Sequence, residues 1–217
     1  MTKIALVREN GTEIASESII HNQKYLGVVF SGLGYTYSKP LLYYSRNILL
    51  ENGIDYVGID YRYYEDDRFR QLNDAEKNEY FEADTRIVVK RLKELASHYE
   101  KLVLIGKSMG TSIIRRCIRE KEIKDEACLV LMTPGAEWSD FIPELCALDN
   151  PTLVIASLED TYYNVQNLKE IYEKKNVTVC EMKRGNHSLE VHDIEEDIER
   201  LKDILVKERN FIREFLA

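Results

Sequence analysis

The amino-acid sequence predicts an α/β protein, a mainly parallel, twisted sheet of about seven to eight strands with helices on both faces. Three observations predict it. Short apolar runs alternate with amphipathic stretches along most of the 217 residues. The earlier runs are apolar throughout, as strands covered on both faces are. The chain opens differently: Lys3 to Arg8 and Glu13 to Ile20 flank Asn10-Gly11 with no helical stretch between them. Asn-Gly is a strong two-residue hairpin signal, so an antiparallel ribbon is expected before the parallel part begins.

After that ribbon, strands are expected at Tyr25 to Phe30, Ile54 to Ile59, Leu102 to Ile105, Cys128 to Met132, Leu153 to Ala156 and Val177 to Met182. Between them, apolar residues recur at the spacing of a helix with one buried stripe. Leu41, Leu42, Ser45, Ile48 and Leu49 mark the first such face, and Val88, Leu92, Leu95 and Tyr99 the second. Ile113, Ile114, Cys117 and Ile118 follow, then Val165, Leu168, Ile171 and Tyr172. Ile194, Ile198, Leu201, Leu205 and Phe215 mark the last. Strand and helix in alternation imply right-handed crossovers between parallel strands. No internal repeat and no linker rich in Pro, Gly or Ser interrupts the pattern, so residues 1–217 are expected to form one domain.

Composition narrows the function classes. Hydrophobic residues make up 44% of the chain and charged residues 31%, which is ordinary for a globular protein and argues against disorder. The formal net charge of −8 disfavours nucleic acid or an anionic membrane as the main partner. Met1 to Val7 is followed at once by Arg8, Glu9 and Asn10, too short an apolar stretch for a secretory signal. No apolar run approaches the length of a membrane span. Cys117, Cys128, Cys146 and Cys180 are scattered without C-x-x-C spacing, and three lie in apolar segments, as buried free thiols do. These features together place the protein in the reducing cytoplasm. The residues leave the oligomeric state open.

The chemistry centres on Gly106-Lys107-Ser108-Met109-Gly110, which follows the apolar run Leu102 to Ile105 and precedes a helical stretch. A serine on a sharp turn between a buried strand and a helix has its hydroxyl pushed out of the backbone envelope, and flanking glycines relieve the crowding. The following helix brings free N–H groups and its positive dipole end to the place where an oxyanion forms. The pattern reads as a nucleophile elbow, although Ser108 also suits an ordinary helix N-cap.

With the elbow so placed, the chain resembles the α/β-hydrolase superfamily over nearly its whole length. The layout implied is two leading strands, then alternating units, with the elbow after the fifth strand. The family orders its triad serine, acid, histidine, and Ser108 is followed by Asp160 and then His187, each shortly after an expected strand. Leu158-Glu159-Asp160 after Ser157 is similar to the family's G-x-x-D, which selects Asp160 over Glu159; Asp160 also suits a cap for the helix beginning near Val165. Gly185-Asn186-His187 lies in a turn similar to the family's G-x-x-H loop, which favours His187 over His192. The resemblance implies oxyanion donors at the backbone amides of Leu33 and Met109. Leu33 lies in Ser31-Gly32-Leu33-Gly34, where Ser31 stands in place of the histidine common in that loop.

These residue types suit the chemistry. A serine hydroxyl is a weak nucleophile until a base takes its proton, and histidine titrates in the right range. A carboxylate behind the imidazole sets its tautomer and stabilises the imidazolium. His21 and His98 have no partner motif and are expected at the surface. Glu65-Asp66-Asp67 lacks companions at metal-ligand spacing, so a solvated loop is expected rather than a metal site. With no P-loop and no G-x-G-x-x-G, no cofactor is implied. The loop Tyr61 to Phe69, with Trp138, Phe141, Tyr162 and Tyr163, either lines a pocket or packs loops on the sheet.

The expected activity is therefore hydrolysis of a small ester or thioester through an acyl-serine intermediate. The segment Thr133 to Asn150, where many relatives insert a helical cap, has room for one short helix. The resemblance is closest to small uncapped members, the dienelactone-hydrolase-like and carboxylesterase or acyl-thioesterase groups, although dienelactone hydrolases carry a cysteine where this chain has Ser108. Peptidases and acyltransferases use the same triad, and a binding protein that retains the fold without catalysis is the alternative from another class.

Overall fold

The computed structural model describes residues 4–120, 126–163 and 169–217. Its strands are β1 (Ala15–Ile19), β2 (Tyr25–Phe30), β3 (Asp55–Asp60), β4 (Lys101–Lys107), β5 (Ala127–Met132), β6 (Thr152–Ser157) and β7 (Val177–Met182). Its helices are α1 (Pro40–Glu51), α2 (Asp67–Gln71), α3 (Asp74–Ala96), α4 (Met109–Arg119), α5 (Trp138–Cys146), α6 (Lys169–Tyr172) and α7 (Ile194–Leu216). The seven strands form one sheet in the order β1-β3-β2-β4-β5-β6-β7. β1 runs antiparallel to β3, and all other neighbours are parallel.

Residues of alternate parity on each central strand go to opposite faces, and each face has its own core. Leu26, Val28, Phe30, Leu102 and Leu104 pack on one side with Val88 and Leu92 of α3, Ile113 and Ile114 of α4, and Phe141 of α5. Val29, Val103 and Ile105 pack on the other with Leu42 and Leu49 of α1 and Ile204 and Ile212 of α7. Each fully buried aliphatic side chain of this kind contributes about 1.5–3 kcal/mol. The parallel register aligns the carboxyl ends: Phe30 lies opposite Gly106, Lys107 opposite Met132, and Ser157 opposite Met182. The segments leaving β2, β4, β5, β6 and β7 therefore emerge along one edge, where sites in open α/β sheets assemble.

The start of the chain differs from expectation. The turn is present, with Gly11 at φ 82° and Arg8 N donating to Thr12 O. Lys3 lies outside the described residues, and among those described the expected ribbon is reduced to a single bridge between Val7 and Glu13. Its second arm, β1, pairs with β3 instead of with the first arm. The first arm is also tied to α3, where the Arg8 guanidinium makes two 2.8 Å hydrogen bonds to the Asp84 carboxylate. The Tyr63 hydroxyl donates to the same carboxylate. The elbow consequently follows the fourth strand and not the fifth.

Helix expectations fared unevenly. All five marked positions of α1 are buried. In α7, Ile194 and Ile198 are 78% and 62% exposed, and the buried residues are Ile204, Glu208 and Ile212. Ile194 and Ile198 lie on the side of α7 that faces solvent, while Glu196, Glu199 and Arg200 line a cleft with Glu181 and Met182 of β7. Val165 and Leu168 lie outside the described residues; Ile171 is buried and Tyr172 is exposed. α2 has no counterpart in the periodicity, and Asp66 of the acidic run caps it by accepting from the N–H groups of Arg68 and Phe69. Cys117, Cys128 and Cys180 are buried, and Cys146 is half-buried. No helix among the described residues is long and apolar enough to cross a membrane.

Glu208 is an outlier in this core. It is fully buried against α1, with Ser45 its polar neighbour there, and the Ser45 hydroxyl also donates to Leu41 O. Burial pushes its carboxyl up to about 8. The unfolded chain releases this proton near the ordinary glutamate value, whereas the folded chain holds it until about pH 8, so Glu208 erodes stability progressively across that window. Glu208→Met is expected to raise the stability measured by urea unfolding at pH 8, by up to about 5 kcal/mol at about 1.4 kcal/mol per pH unit. The gain should vanish near pH 4; an equal gain at both pH values would show that repacking, and not ionisation, is responsible.

Candidate active site

Ser108 joins β4 to α4 with φ 53° and ψ −117°, a conformation that costs a non-glycine residue roughly 1–3 kcal/mol. The surroundings enforce it. Ser108 N donates to Met132 O at 2.9 Å, and Ser108 O accepts from Thr111 N at 2.9 Å and Thr111 Oγ1 at 2.6 Å. The two glycines are needed because a Cβ at Gly110 would lie 2.3 Å from Phe30 O, and one at Gly106 would lie 2.7 Å from Gly110 O. Ser108 does not act as a side-chain cap for α4. Its Oγ lies 2.7 Å from His187 Nε2.

His187 sits in the loop after β7. That loop turns at Gly185, which has φ 132°, and is closed by the Asn186 side chain, whose Oδ1 accepts from the N–H groups of Ser188 and Glu190. On its other side the imidazole Nδ1 lies 2.7 Å from Asp160 Oδ2. Asp160 ends a tight turn after β6, with its N–H bonded to Ser157 O and its Oδ1 accepting from Tyr162 N. The Asp160 side chain has no solvent exposure, while that of His187 is 31% exposed. A carboxylate can only accept, so Nδ1 carries the proton toward Asp160 and Nε2 is left to accept from the Ser108 hydroxyl. The geometry thus brings together the three residues singled out in the sequence. His21, His98 and His192 are exposed, and Glu159 is engaged elsewhere, its Oε2 accepting from Gly185 N at 3.0 Å.

The family model described as an alpha/beta hydrolase domain matches residues 25–216. The chain belongs to that family. No curated protein matches its sequence. Among solved structures, this alpha/beta hydrolase is similar to the esterase Pf2001 of Pyrococcus furiosus, with a TM-score of 0.66, 18% identity, and coverage of 100% of this chain and 93% of that one. XC6422 of Xanthomonas campestris, described as an α/β serine hydrolase without a lid, gives 0.63 and 18%, covering 99% of this chain and 94% of that one. Est1E of Butyrivibrio proteoclasticus gives 0.71 and 12%, covering 99% of both chains.

The start of α4 and the loop after β2 border Ser108 in this hydrolase. Met109 is the first residue of α4, where a helix leaves its N–H groups without an intrahelical acceptor. Leu33 is 41% exposed on the loop after β2, and that loop is held by Ser31 N donating to Ile59 O and Gly32 N donating to Tyr35 O. Ser31 is buried; its Oγ lies 3.4 Å from Tyr61 N, and it hydrogen-bonds the Asp60 carboxyl. Burial pushes that carboxyl up, against the pull of Ser31 and Arg62. The serine therefore supports the loop from below through β3.

A cleft of about 1020 Å³ opens over Ser108 and His187. Tyr35, Tyr63, Tyr64, Phe69, Phe81 and Tyr162 supply its aromatic lining. The aromatic residues noted in the sequence thus divide by role. Tyr162 faces the imidazole at 5.0 Å, whereas Trp138 and Phe141 are buried core residues, with Trp138 stacked on Tyr163. α5 buries Trp138, Phe141, Ile142 and Leu145 against the sheet and so packs as a core helix. Among the described residues no group of three or more His, Cys, Asp or Glu side chains is placed to hold a metal ion.

Sequence reasoning missed Lys107. It is 1% exposed, and its Nζ donates to the main-chain O of His187 at 2.7 Å. The signal was available: a lysine in a glycine-bounded turn between a buried strand and a buried helix has little route to solvent.

Proposed function

We propose that this alpha/beta hydrolase is a serine hydrolase that cleaves small esters or thioesters. Ser108 is the nucleophile, His187 the general base and then acid, and Asp160 the carboxylate that orients the imidazole. The backbone N–H groups of Leu33 and Met109 receive the oxyanion. The observation that supports this best is the continuous hydrogen-bond chain from Ser108 Oγ through His187 to Asp160 at the floor of an open cleft.

The steps follow from the geometry. An ester carbonyl enters above Ser108, His187 Nε2 takes the hydroxyl proton, and Oγ adds to the carbonyl carbon. The buried Asp160 side chain stabilises the imidazolium, and the N–H pair stabilises the developing oxyanion. His187 returns the proton to the leaving alcohol or thiol, which departs as the acyl-serine forms. Water then enters, loses a proton to His187, and releases the acid by the reverse sequence. The scattered, mostly buried cysteines accord with a reducing cytoplasm, and the residues are read as one domain.

A fluorophosphonate probe tests the reading directly. The protein is expected to become labelled, with mass spectrometry placing the adduct on Ser108; an unlabelled protein with no esterase turnover would support a binding role for the fold. The absence of a helical cap over the described part of the cleft bears on substrate size. Each buried methylene contributes about 0.8 kcal/mol until the pocket is full, so kcat/KM for nitrophenyl esters is expected to peak at acyl chains of roughly two to six carbons. No jump in rate is expected above the critical micelle concentration. A rate that climbs through long acyl chains, or switches on at an interface, would contradict the small-substrate assignment.

A further inference from the structure

A lysine ammonium is among the costliest groups to bury, and Lys107 buries one directly beneath the candidate site. Its only hydrogen bond among the described residues goes to the His187 carbonyl. The charged and titratable groups facing it come from four segments: Tyr35 after β2, whose ring lies 5.0 Å from Nζ; Lys39, just before α1; Asp160, after β6; and Glu190, after β7. Burial dominates and pulls the ammonium down to about 7, with Asp160 and Glu190 opposing and Lys39 adding to the shift.

The sheet explains why such a tie is useful. β5 and β6 separate β4 from β7, so no strand pairing fixes the Ser108 turn relative to the His187 loop. Through its side chain the imidazole is held by Asp160 on one edge and Ser108 on the other, and its ring is partly exposed. Glu159 and Asn186 brace the loop at Gly185, Ser188 and Glu190. Lys107 alone among these reaches the main chain of His187 itself, and it does so from the residue next to Ser108.

We propose, on the serine-hydrolase reading above, that Lys107 is a positioning residue: by gripping the His187 carbonyl it sets the distance between the nucleophile turn and the base. An amine suits the task because it donates in either protonation state, and its bond to a carbonyl is the stronger one when charged. A misplacement of about 1 Å in such a constellation costs roughly 100-fold in rate.

Lys107→Met preserves the length of the side chain and removes the donor. Expected results are a kcat lower by roughly 10- to 100-fold, a KM within about threefold of wild type, and a parallel loss in the rate of fluorophosphonate inactivation. The downfield Nδ1 proton of His187, read by NMR, should broaden or vanish while the melting temperature stays above the assay temperature. Lys107→Gln, which keeps an N–H donor, should recover part of the rate. A folded Lys107→Met protein with wild-type kcat and an unchanged downfield proton overturns the proposal. A loss of kcat that merely tracks the unfolded fraction, or failure of both variants to fold, assigns Lys107 a purely structural role and overturns it as well. If wild-type protein is not labelled by the probe, the serine-hydrolase reading fails, and the NMR signal still decides whether Lys107 holds His187.

Discussion

Ser108→Ala is expected to abolish fluorophosphonate labelling and to lower kcat for nitrophenyl esters by a factor on the order of 10⁶, with residual turnover from the remaining site groups. The size follows from the role. Without Oγ no acyl-serine forms, and the leftover rate reflects only what the N–H groups of Met109 and Leu33 and the cleft walls do for attack by water. The fold should persist, because the turn is held by backbone bonds of residue 108 and by Thr111, none of which involves the Ser108 hydroxyl. Removing Oγ leaves His187 Nε2 facing the open cleft, where water replaces it. An adduct found on another residue, or an alanine variant that retains turnover, would remove Ser108 from the nucleophile role.

Asp160→Asn is expected to lower kcat by roughly 10⁴ with little change in KM. The amide presents an N–H₂ donor toward Nδ1, which then accepts; the imidazole proton moves to Nε2 and can no longer receive one from Ser108. Glu159→Gln is the matched control. Its carboxylate accepts from Gly185 N, and a glutamine oxygen can take the same bond, so its rate should stay within a few-fold of wild type. Comparable small losses in both variants would place the orienting carboxylate elsewhere.

The legible part of the site was its three side chains, and the reason is local. A strand, a glycine-bounded turn and a helix recur as contiguous patterns, and the short turns after β6 and β7 carry their acid and histidine within a few residues of a strand end. The choice of Asp160 over Glu159 came from the resemblance to the family's G-x-x-D, and the bond from Asp160 N to Ser157 O closes the turn at that place. Lys107, the support of Ser31 by Asp60 and Tyr61, and the division of aromatics between cleft and core were hidden, since each depends on segments far apart in sequence.

The sequence by itself determined the alternation of strands and helices, the position of the elbow, and the chemical types available at the strand ends. Its periodicities are short-range consequences of backbone geometry, so they survive without knowledge of the fold. Tertiary structure decided the rest. It sent Leu6 into the core and Arg8 to Asp84, reducing the expected ribbon to one bridge and moving the elbow to the fourth strand. It left Ile194 and Ile198 in solvent while burying Glu208, because which side of α7 is covered depends on the elements packed against it and not on periodicity alone. It also set Lys107 under His187, a contact across 80 positions that exists only once β5 and β6 have filled the gap between their strands.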